Sequence, residues 1–369
     1  MIGFAPPSVV GLDLVPDAPD LALFLVGWLA GWFLLWRPRP LPPAPTATQR
    51  RPIAVIVPAR DEEAALGHLL PPLVAQLEAD DELIVVDDHS GDATAAAATR
   101  LGARVVAAPA LPDGWLGKPH ACWHGAGQST APTLLFLDAD VRPAPDLLER
   151  IGAAIEHHPG EAVSVQPWHA TERAYEQASM MCNVTALMGC GAFTPLGERV
   201  RARAAFGPVL AVARDDYDRI GGHADPTIRR MHTEDIGIAR ALESAQLHTG
   251  RPDVRFRMYP DGFRQTVQGW TRSIATGAGS TPWWAALGVL VWVWSLAGGW
   301  LTTPVVYPLC ALQLFVLGRR AGSIHPLTAA LYPITVLVFV LIFLRSVVTL
   351  VFGRDVAWKG RRVDARSPD

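Results

Sequence analysis

Two uncharged apolar stretches bracket this chain and limit what it can become. LALFLVGWLAGWFLLW (21–36) carries no charge and runs into RPRP; from Trp283 to Phe352 the chain is again almost continuously apolar, interrupted by RRAGSIHP (319–326) and by Arg345. Segments near 20 residues cover the roughly 30 Å of a bilayer's hydrocarbon layer. A soluble domain with this much Trp, Leu and Val in its last part would have little polar surface left. Both stretches are therefore expected to be flanking transmembrane helices. The first does not read as a signal peptide: Asp13, Asp17 and Asp20 precede it where a basic region would stand, and Arg and Pro follow it where small residues would be cleaved. Arg37, Arg39, Arg50 and Arg51 follow it. The positive-inside rule then makes residues 1–20 an extracytoplasmic N-terminus, 21–36 the anchor, and the chain from 37 onward cytoplasmic.

A Pro-rich linker (37–51) leads into a stretch, 52–280, that alternates in period. IAVIVP (53–58), ELIVVDD (82–88), ARVVAA (103–108) and TLLFLD (133–138) read as short buried strands. DEEAALGHLLPPLVAQL and DATAAAATRLG between them read as helices, the second ended by Gly102. This alternation predicts an α/β domain with a parallel sheet, whose ligands lie beyond the carboxyl ends of the strands. The polar residues gather there: Arg60-Asp61-Glu62, Asp87-Asp88, and Asp138-Ala139-Asp140. The four cysteines contain no CxxC pair and suit a reducing compartment, and a net charge of −3 argues against a nucleic-acid partner.

VPARDEE has no glycine, so the first strand is followed by neither a dinucleotide fingerprint nor a Walker loop. A nucleotide would need side-chain carboxylates for its base or ribose and a cation for its phosphates. DDHSGD (87–92) offers such acceptors, although Asp, Ser and Gly are also ordinary turn residues. Asp138 and Asp140 would share a face on a continuing strand, and two carboxylates that close repel unless a salt partner or a divalent cation lies between them. Mg²⁺ or Mn²⁺ bridging a diphosphate suits hard oxygen ligands at this spacing. Lys118 supplies a second positive charge. His120 and His124 lack a third ligand and are read as packing or substrate contacts. Thr233 is expected to cap a helix whose first turn holds Glu234 and Asp235, either as dipole partners or with one carboxylate as a general base.

PARDEE, VVDDHSGDAT, LFLDAD, FGPVLAVAR, TEDIGIA and VAWKGRR, in this order, resemble the membrane-bound family 2 glycosyltransferases of GT-A (nucleotide-diphospho-sugar transferase, Rossmann-like) fold. GWLGKPHACWHGA and FRQTVQGWTRSIATGA are similar more narrowly to the branch acting on 4,4'-diaponeurosporenoate and on hopanoids. The resemblance implies that Arg60, Glu62 and Asp88 contact the uridine end of a UDP-sugar. It implies that Asp138 and Asp140 hold the diphosphate through the metal with Lys118 beside them, and that Asp235 is the catalytic base. Processive polysaccharide synthases of the family carry Q-x-x-R-W; here Trp270 is kept but Gly269 stands where Arg would be. That departure favours a single hexose transfer, from UDP-glucose to a lipid or isoprenoid acceptor such as a carotenoid acid. The rivals are a processive synthase and a membrane transporter or scaffold retaining a nucleotide-binding domain.

The 281–353 region is expected to cross more than once, in a multi-pass cell-membrane protein with a cytoplasmic catalytic domain. Spans at about 283–301 and 303–318 bring Arg319 and Arg320 back to the cytoplasm. The stretch 326–353 is long for one span and short for two. The basic tail, 354–369, belongs inside by its charges, so this stretch is read as a re-entrant pair broken near Pro333, or one of the preceding segments lies in the interface.

Overall fold

The computed structural model describes residues 18–43, 50–200, 202–302, 306–352, 356–358 and 361–363. The N-terminal segment before residue 18 and most of the basic tail lie outside them. Helix α1 (Ala18–Leu34) precedes the alternating region. There strands β1 (Ile53–Ala59), β2 (Glu82–Asp87), β3 (Arg104–Ala107) and β4 (Thr133–Leu137) are separated by α2 (Glu63–Val74), α3 (Thr94–Arg100) and α4 (Gly117–Ala126). Gly102, at φ +92°, ends the α3 region in the left-handed conformation that glycine permits. The second half contributes β5 (Val141–Arg142), α5 (Leu147–His157), β6 (Ala162–Gln166), β7 (Trp168–His169), α6 (Ser179–Gly189), β8 (Val209–Ala213) and α7 (Arg214–Arg219). It continues through α8 (Glu234–Ala241), β9 (Ala245–Thr249) and β10 (Arg255–Phe256).

The main sheet has the order β3-β2-β1-β4-β8-β6-β9. As the alternation predicts, β1 is parallel to β2 and β4, and β2 to β3. Strand β8 is antiparallel to both β4 and β6, which periodicity alone does not reveal. Its direction matters, because it begins where β4 ends. The Asp138 amide donates to Pro208 O at 3.0 Å, so the Phe206-Gly207-Pro208 turn lies against the carboxylates. Apolar side chains fill both faces of the sheet. Helix α4 lies directly on β1 and β2, where a Cβ on Gly125 would come 2.6 Å from Ile56 Cγ2 and 2.8 Å from Val86 Cγ2.

After the sheet come α9 (Phe263–Gly277), α10 (Trp283–Thr302), α11 (Tyr307–Ala321), α12 (Pro326–Ala330) and α13 (Tyr332–Phe352), then a hairpin pairing Val356–Trp358 with Arg361–Val363. Helices α1 and α10 pack closely through Gly27 and Gly31, where added methyl groups would meet Ser295 and the Trp292 ring. The buried Gln313 amide satisfies both neighbours, accepting from Trp292 Nε1 at 2.9 Å and donating to Trp28 O at 2.6 Å. Arg320 donates to Leu35 O and Trp36 O at 2.5 and 2.9 Å, so the ends of α11 and α1 meet.

Three expectations can be set against these helices. Among the described residues, α13 is the one helix long and apolar enough to cross a membrane, and the apolar parts of α1 and α10 (Leu21–Leu34, Trp283–Gly298) are shorter. The break expected near Pro333 falls at Leu331, between α12 and α13, and Pro333 itself stands in the first turn of α13, where no backbone donor is needed. The chain reverses earlier: Tyr307 Oη donates to Ala330 O at 2.5 Å and the Tyr307 and Tyr332 rings lie 4.7 Å apart. Helix α13 thus begins beside the start of α11. Thr233 stands at the N-cap of α8, but its side chain makes no capping hydrogen bond.

Gly125→Ala should force α4 off the sheet and cost about 1–3 kcal/mol, as overpacking does. Thermal denaturation in detergent should show a lowered Tm; an unchanged Tm would mean that α4 slides freely and does not hold Lys118 in register.

Candidate active site

The ends of β1, β2 and β4 and the starts of α4 and α8 converge on a single cavity of about 990 Å³. Arg60, Glu62, Asp88, Lys118, Asp138, Asp140 and Asp235 all line it.

The turns after β1 and β2 lock together. Asp61 and His89 adopt left-handed backbones (φ 54° and 57°). The Asp61 amide donates to Ser90 Oγ at 3.0 Å, the Gly91 amide returns to Asp61 Oδ1 at 2.7 Å, and the Glu62 amide donates to Thr94 Oγ1 at 2.9 Å. DDHSGD is therefore a turn, as its composition allows, and one that fixes RDE in place. It leaves Arg60 Nη1 3.7 Å from the Asp88 carboxylate at the cavity wall.

At the end of β4, Asp138 and Asp140 are both half-buried and face a common space. Lys118, in the first turn of α4, bridges two elements: its Nζ lies 2.7 Å from Asp138 Oδ1 and 2.8 Å from Glu234 Oε1. Burial alone would lower its proton affinity, but Asp138 and Glu234 together raise it well above the usual lysine value, so it is a fixed cation. Glu234, read from sequence as a second candidate base, is thereby committed to Lys118. Asp235 turns to the cavity instead. Burial first, and the Glu234 carboxylate next, push its carboxyl up to about 8.

The positions of Lys118 and Asp235 depend on a residue that the sequence reading passed over inside FGPVLAVAR. A Cβ on Gly207 would sit 3.2 Å from Lys118 Nζ and 3.4 Å from Asp235 Cγ. Sequence reasoning also missed Tyr259 and Arg272, which line the same cavity. Tyr259 holds a left-handed backbone (φ 56°), a costly state for an aromatic residue. It packs on Gly269, where a Cβ would fall 2.2 Å from the Tyr259 ring, so no arginine fits at that position.

The carboxylate pair fits a divalent cation. Asp140 Oδ1 is buried without a hydrogen-bond partner, and burial, then Asp138 and Glu62, push this carboxyl up to about 8. A cation between the two aspartates would relieve both the repulsion and the orphaned oxygen. Among the described residues no group of three or more His, Cys, Asp or Glu side chains forms a complete cage. The two aspartates would thus supply only part of a coordination sphere. His120 packs edge-on against Trp115 at 5.4 Å, in keeping with its reading as a packing residue.

The chain matches the model for "Glycosyl transferase family 2" over residues 54–197. It is 32% identical over 331 residues to the 4,4'-diaponeurosporenoate glycosyltransferase of Staphylococcus aureus strain MRSA252, spanning 84% of this chain and 88% of the relative. The protein of the same name from strain USA300 is 32% identical over 330 residues with the same coverage. Among solved structures, mannosyltransferase PcManGT from Pyrobaculum calidifontis, in complex with GDP-Man and Mn²⁺, superposes with a TM-score of 0.55 at 17% identity. That match covers 91% of this chain and 96% of that one, and it shows a shared fold.

Asp140→Asn removes one of two crowded charges, so the metal-free protein should keep or raise its Tm. The further Tm gain from Mn²⁺ with UDP, a measure of ligand bound to the native state, should vanish, as should transfer. A wild-type gain in the variant would sink the metal assignment.

Proposed function

The chain belongs to glycosyl transferase family 2 and is a glycosyltransferase, and on that premise we propose that it moves a hexose from UDP-glucose or a similar UDP-sugar to a lipid or isoprenoid acid at the cytoplasmic membrane face. The observation that carries this reading is the shape of the cavity. Its polar end holds the carboxylates and Lys118, and its other end is walled by Val289, Leu290 and Val293 of α10 and by Phe339, Val340, Phe343 and Leu344 of α13. Leu290, Phe343 and Leu344 are 64%, 41% and 53% exposed, so the apolar end opens on the outside of the helices. A long hydrocarbon acceptor can enter there sideways and present its polar end to the sugar.

Arg60, Glu62 and Asp88 would hold the uridine end of the donor. Asp138 and Asp140 would hold the diphosphate through Mg²⁺ or Mn²⁺, which supplies Lewis-acid stabilisation of the departing charge. Lys118, fixed by Glu234, adds a second positive charge at the same phosphates. Asp235 takes the proton of a hydroxyl acceptor as it attacks the anomeric carbon from the face opposite the leaving UDP, which inverts that centre. A carboxylic acid arrives already ionised and needs Asp235 only for placement. The Tyr259–Gly269 packing weighs against a processive synthase, because the arginine of Q-x-x-R-W has no room.

The exposed apolar side chains of α1, α10 and α13, among them Leu29, Leu290 and Leu341, favour a membrane setting for these helices around a catalytic unit at 52–280. Helix α1 would enter the cytoplasm at Arg37, α10 would leave it, and α11 would return to meet α1 at Arg320. With α13 beginning beside the start of α11, one crossing by α13 would return the basic tail to the cytoplasm, as its charges require.

The direct test supplies the purified protein with UDP-glucose and a long isoprenoid acid and looks by mass spectrometry for acceptor plus hexose. Donor hydrolysis without transfer would overturn the acceptor class, and transfer from GDP-mannose alone would overturn the donor. For a hydroxyl acceptor, Asp235→Asn should lower kcat by roughly 10²- to 10⁴-fold. Its pH profile carries a second expectation. A base is active only when deprotonated, and the Asp235 carboxyl lies at about 8. The rate with a hydroxyl acceptor should therefore rise about tenfold per pH unit below that value and level above it, whereas a carboxylate acceptor should show no such limb.

A further inference from the structure

We propose that Arg272 is the acceptor-side anion anchor, pairing with the carboxylate of a long-chain acid and selecting it over the matching alcohol. The proposal rests on the glycosyl-transfer reading above and names the polar group that the acceptor carries.

The cavity's cations divide by place. Arg60 lies at the nucleotide end beside Asp88. Lys118 is held between Asp138 and Glu234. Arg272 comes from a different element, α9, which also supplies Ile274 and Gly277 to the cavity lining next to the apolar helices. It therefore stands where the polar and apolar halves meet, where the head of a lipid acceptor would stop. The Tyr259 ring fills the space over Gly269, so α9 cannot carry its cation there. Position 272, three residues on, lies on the neighbouring helix surface and supplies it instead.

Charge makes the anchor necessary. A carboxylate acceptor must leave water for an end of the cavity lined by Asp138 and Asp140, with Asp235 only 6% exposed beside them, and a desolvated negative charge there is costly without a cation. Burial lowers the proton affinity of the Arg272 guanidinium more than Tyr259, Glu234 and Asp138 raise it. A planar fork of N–H donors matches a carboxylate. One acceptor oxygen would pair with Arg272 while the other attacks the anomeric carbon. A C–O bond to the acceptor forms, the C–O bond to the diphosphate breaks with its electron pair leaving on UDP, and no proton moves. The product is a glycosyl ester.

The test compares Arg272→Gln with wild type on a matched pair of acceptors, a long-chain isoprenoid acid and its alcohol, with UDP affinity measured separately by calorimetry. The KM for the acid should rise by about tenfold or more, as expected for loss of a charge-assisted hydrogen bond, while the KM for the alcohol changes by less than about threefold. Arg272→Lys should recover part of the loss, since it restores charge without the fork. Equal losses on both acceptors would overturn the proposal, and so would an unchanged acid KM. A fall in UDP affinity that accounts for the whole effect would assign Arg272 to the diphosphate and overturn it too. Failure of the wild type to glycosylate either acceptor would refute the underlying reading instead, and the two failures are thereby distinguished.

Discussion

Carboxylates crowded at one edge of a buried sheet set the terms for this structure. Asp138, Asp140, Glu62 and Asp235 share a cavity, with Glu234 close behind. Left to themselves they would lose stability or take up protons, as the upward shifts of Asp140 and Asp235 indicate. Lys118 answers part of that charge, tying the end of β4 to the start of α8. The rest is left for ligands. On the proposed reading, the same repulsion that costs the unliganded protein stability would contribute to the binding of a metal-bound diphosphate.

Around this edge the fold does two jobs at once. Parallel strands β1, β2 and β4 bring their carboxyl ends to one side, and antiparallel β8 adds the Gly207 turn, whose missing side chain lets Lys118 and Asp235 stand close. Helices α9, α10 and α13 then extend the cavity into an apolar cleft. Family membership fixes the chemistry as glycosyl transfer, and the cleft is the feature that points to a lipid acceptor. On the proposed reading, a strongly charged donor site joined to a hydrocarbon-lined one in a single cavity calls for a cation at the seam, and Arg272 of α9, which lines that cavity, is the one proposed.

Much of this was legible in the chain. Short β-branched runs separated by helical segments announced β1 to β4 and their parallel pairing, because buried parallel strands have a strong local signature. Asp138 and Asp140 stood out because two like charges that close at the end of an apolar strand repel unless something positive lies between them. What the sequence hid was non-local. Nothing local distinguishes β8 as antiparallel, since its direction depends on the path taken through α6. Arg272 carried no sequence signal of its own, and it is the Tyr259 ring over Gly269 that explains why the cation lies at 272 and not at 269. The unbroken α13 was obscured by Pro333, a residue that breaks a helix interior but is harmless in a first turn.

The central claim is that a divalent ion and the donor diphosphate jointly resolve the carboxylate repulsion, so each must strengthen binding of the other. Calorimetric titration of UDP into the purified protein, with Mn²⁺ and then with chelator, measures that coupling directly. The account predicts that Mn²⁺ tightens UDP by at least about tenfold, or 1.4 kcal/mol, and that UDP tightens Mn²⁺ by the same factor, as linkage demands. UDP binding of equal strength in chelator would contradict it.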